Sequence, residues 1–252
     1  KNICYINDEV NMDIFKSWLV EKYVAHRGLH DEESPENSLS AFEKAVEKGY
    51  VIELDVQQIA DGTVVVFHDT SLSRMTGQDG YLKNLITEDL SACYLEGTKE
   101  TIPTLKQALD LINGRTPIII EVKNTLKVGS LESATLEILK NYKGQFAIMS
   151  FNPYVLSWFK ENAPEILRGQ LSAFFKKDKL SLVKKVVLKK MLLNKVTQPN
   201  FIAYEAEYLP NRYVRKFNNL PLLAWTIRSQ EEYMRVVKYC DNIIFENFEP
   251  KI

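Results

Sequence analysis

Histidine is scarce in this chain, with three in 252 residues. Imidazole is the side chain that exchanges protons near neutral pH, so each of the three earns scrutiny. Cysteine is as sparse: Cys4, Cys93 and Cys240 are odd in number, far apart and without metal-site spacing. That excludes a disulfide framework and a zinc knuckle, and it predicts free thiols in a reducing compartment, the cytoplasm, with a single external disulfide left open. Charge of one sign is missing too. A net charge of −1 and a pI near 6.4 exclude the basic footprint of a dedicated nucleic-acid binder, so no nucleic-acid partner is expected. No run approaches the roughly 18 apolar residues that a bilayer span needs. The chain begins at Lys1 rather than Met, so its natural start is expected upstream, where a signal peptide or membrane segment could have stood. Internal repeats, low-complexity tracts and linkers are lacking as well, and residues 1–252 are expected to form one domain with a large core.

Short Val- and Ile-rich runs alternate with stretches of helical spacing, the pattern of βα units around a parallel sheet. Strands are expected near 23–27, 51–57, 117–122, 145–150, 166–171, 200–204, 221–226 and 241–245, with helices between them that include 38–48, 104–112, 131–142 and 230–239. Asn37 or Ser38, and Ser229, are placed to cap two of these. Eight strands predict an α/β fold closed as a (βα)8 TIM barrel. The stretch 60–101 is too long for a βα loop, and Asp61-Gly62 between apolar runs signals a hairpin, so a small insertion is expected after the second strand. The chain leaves no room for an eighth helix after the last strand. Met12 to Glu21, with Ile14, Phe15, Trp18 and Leu19 at helical spacing, is expected to cover that face.

Two histidines keep informative company. His26 stands in AHRGLHDEESPENSLSAF, His68 in VVVFHDTSLSRMT, and Glu53 and Asp55 in VIELDV between them. Alternate strand residues share a face, so Glu53 pairs with Asp55, and Glu121 with Lys123. In a barrel both pairs fall at the C-terminal strand ends, where barrel enzymes place their chemistry. Three acids converging in an apolar setting repel unless neutralised, and hard oxygen ligands favour one Mg2+ or Ca2+ over Zn2+. The plainer alternative is an ion-pair network in which Lys123 is only a salt-bridge partner of Glu121. Metal-assisted hydrolysis is the reaction class these residues suggest.

The ordered series His26-Arg27-Gly28, Pro35-Glu36-Asn37-Ser38, Glu53-Leu54-Asp55, Asp61-Gly62, His68-Asp69 and Glu121-Val122-Lys123 resembles the glycerophosphodiester phosphodiesterase family. Leu72-Ser73-Arg74-Met75-Thr76, Ile102-Pro103-Thr104-Leu105, Ser150-Phe151 and Leu223-Ala224-Trp225-Thr226-Ile227 continue the likeness, which spans about residues 23 to 250. The resemblance implies a barrel hydrolase that cleaves glycerophosphodiesters to sn-glycerol 3-phosphate and an alcohol. It implies Glu53, Asp55 and Glu121 as metal ligands and His26 and His68 as an acid/base pair. It also implies attack by the substrate's own 2-hydroxyl to form a cyclic phosphate that water then opens. Arg27 and Lys123 are expected to offset phosphoryl charge. Trp225 either lines the glycerol pocket or fills the barrel; His30 is expected to be an ordinary loop residue.

Late in the chain the family pattern frays. Arg228 stands where the family usually has Asn, and Phe245-Glu246-Asn247 where it has Thr-Asp or Thr-Asn, changes that bear on the leaving group. Segment 176–195 carries eight lysines against Asp178, interleaved with apolar residues. It reads as a barrel helix with a solvated basic face, or as a peripheral contact with anionic lipid headgroups. The latter would favour a phospholipase D-like hydrolase of lysophospholipid or sphingolipid at a membrane surface. A non-catalytic ligand-binding barrel is the remaining alternative, and it has no need for two proton carriers.

Overall fold

The computed structural model describes residues 13–124, 127–176 and 179–251; Cys4, Met12, Lys177 and Asp178 lie outside them. Among the described residues nine strands form: β1 Val24–Ala25, β2 Val51–Gln58, β3 Val64–Val66, β4 Ile118–Val122, β5 Phe146–Ser150, β6 Leu167–Ser172, β7 Phe201–Glu205, β8 Leu222–Ile227 and β9 Asn242–Phe245. The helices are α1 Trp18–Glu21, α2 Leu39–Lys48, α3 Ser73–Thr76, α4 Leu105–Ile112, α5 Ser130–Leu139, α6 Pro153–Asn162, α7 Leu182–Lys189, α8 Asn194–Thr197 and α9 Gln230–Val236. Eight strands pair in parallel in the order β1-β9-β8-β7-β6-β5-β4-β2, and a β1–β2 pairing closes the ring. All the expected barrel strands are present. β3 lies outside the ring, antiparallel to β2 across the Asp61-Gly62 turn, as the hairpin signal predicted.

Strand alternation sorts the side chains into two cores. Ile52, Leu54, Val56, Ile118, Ile120, Val122, Ile202, Ala224 and Ile243 point outward and pack with helix residues such as Phe42, Leu105, Leu109, Val155 and Phe159. The other parity points in, where Val24, Val51, Ile119, Ala147, Met149, Leu171, Phe201, Ala203, Leu223 and Ile244 fill the barrel. Gly169 makes room there: a Cβ on it would lie 2.3 Å from the Phe201 ring. Ser38 and Ser229 cap α2 and α9 by accepting from Ala41 N and Glu232 N. Thr104 and Gln107 form a reciprocal capping box on α4.

The insertion has a small core of its own, with Ile59, Val65, Phe67, Leu72, Met75, Leu82, Leu90, Leu95 and Ile102. One expectation is corrected. Among the described residues before β1, no single helix covers the face beside the last strand. Ile14–Lys16 is a 3-10 turn, broken at Ser17 from the short α1. Trp18 and Leu19 instead join the interior cluster and plug the N-terminal end of the barrel, while Asn242 Nδ2 clamps the Leu19 and Lys22 carbonyls, each at 2.7 Å. Leu19 is fully buried there and Trp18 nearly so, which removes both apolar side chains from water.

Candidate active site

Inward parity carries the chemistry at the other end of the barrel. Continuing each strand in steps of two from its interior filling gives His26 after Val24, Glu53 and then Asp55 after Val51, Glu121 after Ile119 and Glu246 after Ile244. Ligand-capable oxygens of Glu53, Asp55 and Glu121 lie within 4.8 Å of one another, and all three residues are buried. Burial and its two acidic neighbours push the Glu53 carboxyl well above its usual range. Burial and Asp55 outweigh Lys123 and raise Glu121 to about 7. Asp55 goes the other way, because Lys123, His68 and Arg27 overcome its desolvation. Lys123 Nζ is 3.3 Å from Asp55 and 3.2 Å from Glu121. Oε1 of Glu53 is buried without a hydrogen-bond partner. Three hard oxygen donors with one orphaned suit a Mg2+- or Ca2+-like cation, and the residues present fit such a group.

The His26-Arg27-Gly28 turn wraps this cluster. Arg27 and Gly28 are both left-handed, at φ 57° and 82°, and a Cβ at Gly28 would press within 2.9 Å of Ala41. Glycine is therefore needed for both its dihedral and its close approach to α2. The reversal turns the Arg27 N–H onto Glu53 at 3.1 Å and its guanidinium toward Asp55 at 3.3 Å and Glu36 at 2.8 Å. Asn37, also left-handed, donates Nδ2 to Asp55 at 2.9 Å and accepts from the Asp55 N–H. Glu36 and Asn37 thus hold the site while Ser38 alone caps the helix.

Each histidine is oriented by a carboxylate. His26 Nδ1 pairs with Glu246, leaving Nε2 turned inward, 4.0 Å from Glu53. Glu246 also takes Arg228 Nε at 2.7 Å, and together these partners hold its carboxyl far below the usual range despite burial. His30 stands in the loop after β1, as expected; its Nε2 lies 3.7 Å from the same carboxylate, beyond hydrogen-bond reach. On the opposite flank His68 Nδ1 pairs with Asp69 at 2.6 Å. Arg74 fastens Asp69 at 2.6 Å and Glu36 at 2.7 Å, so ion pairs run from Arg27 through Glu36, Arg74 and Asp69 to His68. Gln57 Nε2 donates to the carbonyls of Phe67, His68 and Asp69, at 2.8, 3.0 and 2.9 Å, which pins the hairpin exit to the barrel. Burial lowers both imidazoles from their ordinary value, against the pull of their carboxylates.

Trp225 stands half-buried, edge-on to Phe151 with centroids 5.5 Å apart, and its indole N–H is buried without an acceptor. A groove of about 1050 Å³ opens beside the His26 flank, lined among others by Leu29, His30, Arg228 and Phe248. Sequence reading noted Arg228 and Glu246 only as departures from the family pattern, without their pairing to each other and to His26, and missed Gln57 and the positioning role of Arg74. Glu246 had a usable signal, since it shares inward parity with Ile244 at a strand end.

A family model described as the glycerophosphoryl diester phosphodiesterase family matches residues 26–248. A glycerophosphodiester phosphodiesterase of Caldanaerobacter subterraneus subsp. tengcongensis is 31% identical over 241 residues, spanning 91% of this chain and 95% of that protein. A lysophospholipase D of Rattus norvegicus is 34% identical over 141 residues, 51% of this chain and 44% of its own. Among solved structures, a phosphodiesterase of Oleispira antarctica in complex with the product sn-glycerol-3-phosphate superposes with a TM-score of 0.74 at 25% identity. It covers 90% of this chain and 93% of that one.

Proposed function

The chain belongs to the glycerophosphoryl diester phosphodiesterase family, and on that premise we propose that it hydrolyses glycerophosphodiesters to sn-glycerol 3-phosphate and an alcohol, with His26 and His68 as the proton carriers. The observation that carries the reading is the placement of a buried three-carboxylate cluster between two histidine–carboxylate pairs. Glu53, Asp55 and Glu121 would hold one divalent cation, Mg2+ or Ca2+, which when bound supplies positive charge to the phosphoryl oxygens. Lys123, against two of those acids, and Arg27 add fixed positive charge at the same place.

Each imidazole turns one nitrogen to its carboxylate and keeps the other for substrate. One takes the proton of the attacking hydroxyl as the new P–O bond forms. The other gives a proton to the leaving alkoxide as the old P–O bond breaks. If the first product is a cyclic phosphate, water opens it with the two roles exchanged. The unmatched Trp225 N–H would meet a glycerol oxygen, and the groove beside Arg228 would take the departing alcohol. The lysophospholipase reading has less behind it, because the match to that relative spans half the chain. We place the activity on one barrel domain carrying the 60–101 insertion, and in the cytoplasm, where the free thiols of Cys93 and Cys240 would persist. Among the described residues no helix is long and apolar enough to cross a membrane.

Purified protein with Mg2+ or Ca2+ should release glycerol 3-phosphate from glycerophosphocholine and lose that activity in EDTA. His26→Ala and His68→Ala should each cut turnover by about two orders of magnitude or more. Near-native turnover in either variant would overturn the proton-carrier assignment.

A further inference from the structure

The lysine-rich segment takes no part in the chemistry above, and its helix is not packed as a barrel helix. None of the residues of α7 is fully buried, whereas α2, α4, α5 and α6 each bury several against the strands. It is fastened by its C-terminal turn. The Ser172 hydroxyl at the end of β6 donates to the Leu188 carbonyl at 2.9 Å, and the Tyr204 hydroxyl on β7 donates to the Lys189 carbonyl at 3.1 Å. Both donors lie toward the C-terminal ends of their strands, so α7 is tethered at the same end of the barrel as the active site.

Below the tether, Phe174 stacks on Tyr208 with centroids 4.0 Å apart, and Lys189 Nζ sits 5.1 Å from the Phe174 ring and 5.6 Å from that of Tyr213. These rings meet the helix at Lys189, in the same C-terminal turn as the tether. Its N-terminal turn is the free end, and that turn presents apolar side chains to water. Leu182 is 82% exposed and Val183 73%, with Val186 one turn on at 39%. A helix of a soluble domain turns such residues inward. Around them Lys176, Lys179 and Lys184 are exposed and Lys185, Lys189 and Lys190 half-buried. Among the described residues from 174 to 195 there is no acid; Glu205 and Glu207 stand near Lys176, at the tethered end.

We propose that α7 is a membrane-docking helix: Leu182, Val183 and Val186 enter the headgroup layer of an anionic phospholipid bilayer, and the flanking lysines pair with its phosphates. Apolar wedge plus basic collar is the composition that binds such an interface, and neither half is strong alone. Docking would hold the barrel mouth over the surface where its substrates arise. A glycerophosphodiester is what remains of a glycerophospholipid once its acyl esters are hydrolysed, so the reaction that supplies the enzyme is ester hydrolysis at that surface.

The test is sedimentation of the full chain with vesicles of phosphatidylglycerol and phosphatidylcholine, beside vesicles of phosphatidylcholine alone, at low and high salt. Turnover of soluble glycerophosphocholine is measured in parallel. The wild-type chain should pellet with the anionic vesicles in a salt-sensitive way. The double reversal Lys184→Glu, Lys185→Glu should weaken partition by at least about 25-fold. Leu182→Ser with Val183→Ser should weaken it as well, and both variants should keep soluble turnover. Failure of the wild-type chain to pellet, equal partition to neutral vesicles, or undiminished binding of either variant would overturn the proposal. Loss of turnover with docking intact would count against the chemistry instead, so the two readings fail separately.

Discussion

Replacing Glu246 with Gln tests the least expected part of the site. The carboxylate pairs with His26 Nδ1 and with Arg228, and both the imidazole and the acid are largely buried. Gln keeps the length of the side chain and removes its charge. A hydrogen bond to a charged partner contributes about 1.5–3 kcal/mol net, and if that is realised as His26 gains a proton in the transition state, kcat/KM should fall roughly 10- to 150-fold. The pH profile separates positioning from mere folding. His26 is lowered by burial, and the Glu246 hydrogen bond is the largest effect opposing that shift. Without it the imidazole should fall further, so the limb of the kcat/KM profile that reports His26 should move to lower pH. The assay is release of glycerol 3-phosphate from glycerophosphocholine at saturating cation across about pH 5 to 9, with thermal unfolding as the folding control. A rate within about two-fold of wild type with an unmoved limb would refute the reasoning. So would a loss restored by excess cation, which would place Glu246 in the cation site.

Glu53→Gln should weaken cation affinity more than turnover, so that titration with excess Mg2+ or Ca2+ recovers part of the activity; a loss insensitive to cation concentration would remove Glu53 from the ligand set. Acid should loosen the flank that carries His68. Asp69 is held down at about 2, with Arg74 and His68 overcoming its desolvation, against about 3.9 when unfolded. A depressed carboxyl contributes stability above its unfolded pKa and loses it as pH falls through the folded one. The difference in urea midpoint between wild type and Asp69→Asn should therefore be flat above about pH 5 and shrink between about pH 4 and pH 2, and a difference that stays flat to pH 2 would contradict it.

The barrel was legible because alternation is a local property: Ile118-Ile119-Ile120-Glu121-Val122 announces a buried strand with an acid where the pattern has no room for one. Glu53, Asp55 and Glu121 stood out for that reason. Arg228 and Glu246 did not, although both were visible as departures from the family pattern. They are 18 residues apart in sequence, and what makes them a pair is the parallel register of β8 against β9, which brings both strand ends to one rim. Gln57 was hidden for a related reason. Its side chain satisfies three carbonyls of a segment that the hairpin folds back beside β2, and no local pattern encodes that return. The plug at Trp18 and Leu19 was misplaced because helical spacing predicts an apolar face without saying which opening it fills.

Charge in the site is uneven in a way that bears on the cation. Side-chain ion pairs and close contacts connect six carboxylates, Glu36, Glu53, Asp55, Asp69, Glu121 and Glu246, with four cations, Arg27, Arg74, Lys123 and Arg228. With both histidines neutral, two negative charges are left over. The surplus falls on identifiable residues, since Glu53 and Glu121 are the two carboxyls pushed upward while the other four are held down. Either those two acids take protons or a doubly charged cation takes their place, and the second course also restores a partner to the orphaned Glu53 oxygen. The remaining four acids already have their guanidinium, ammonium or imidazole partners. Their work is to fix Arg27, Lys123 and the two imidazoles in place, so the charge to be gained on binding a cation is confined to the point where a phosphoryl group would sit.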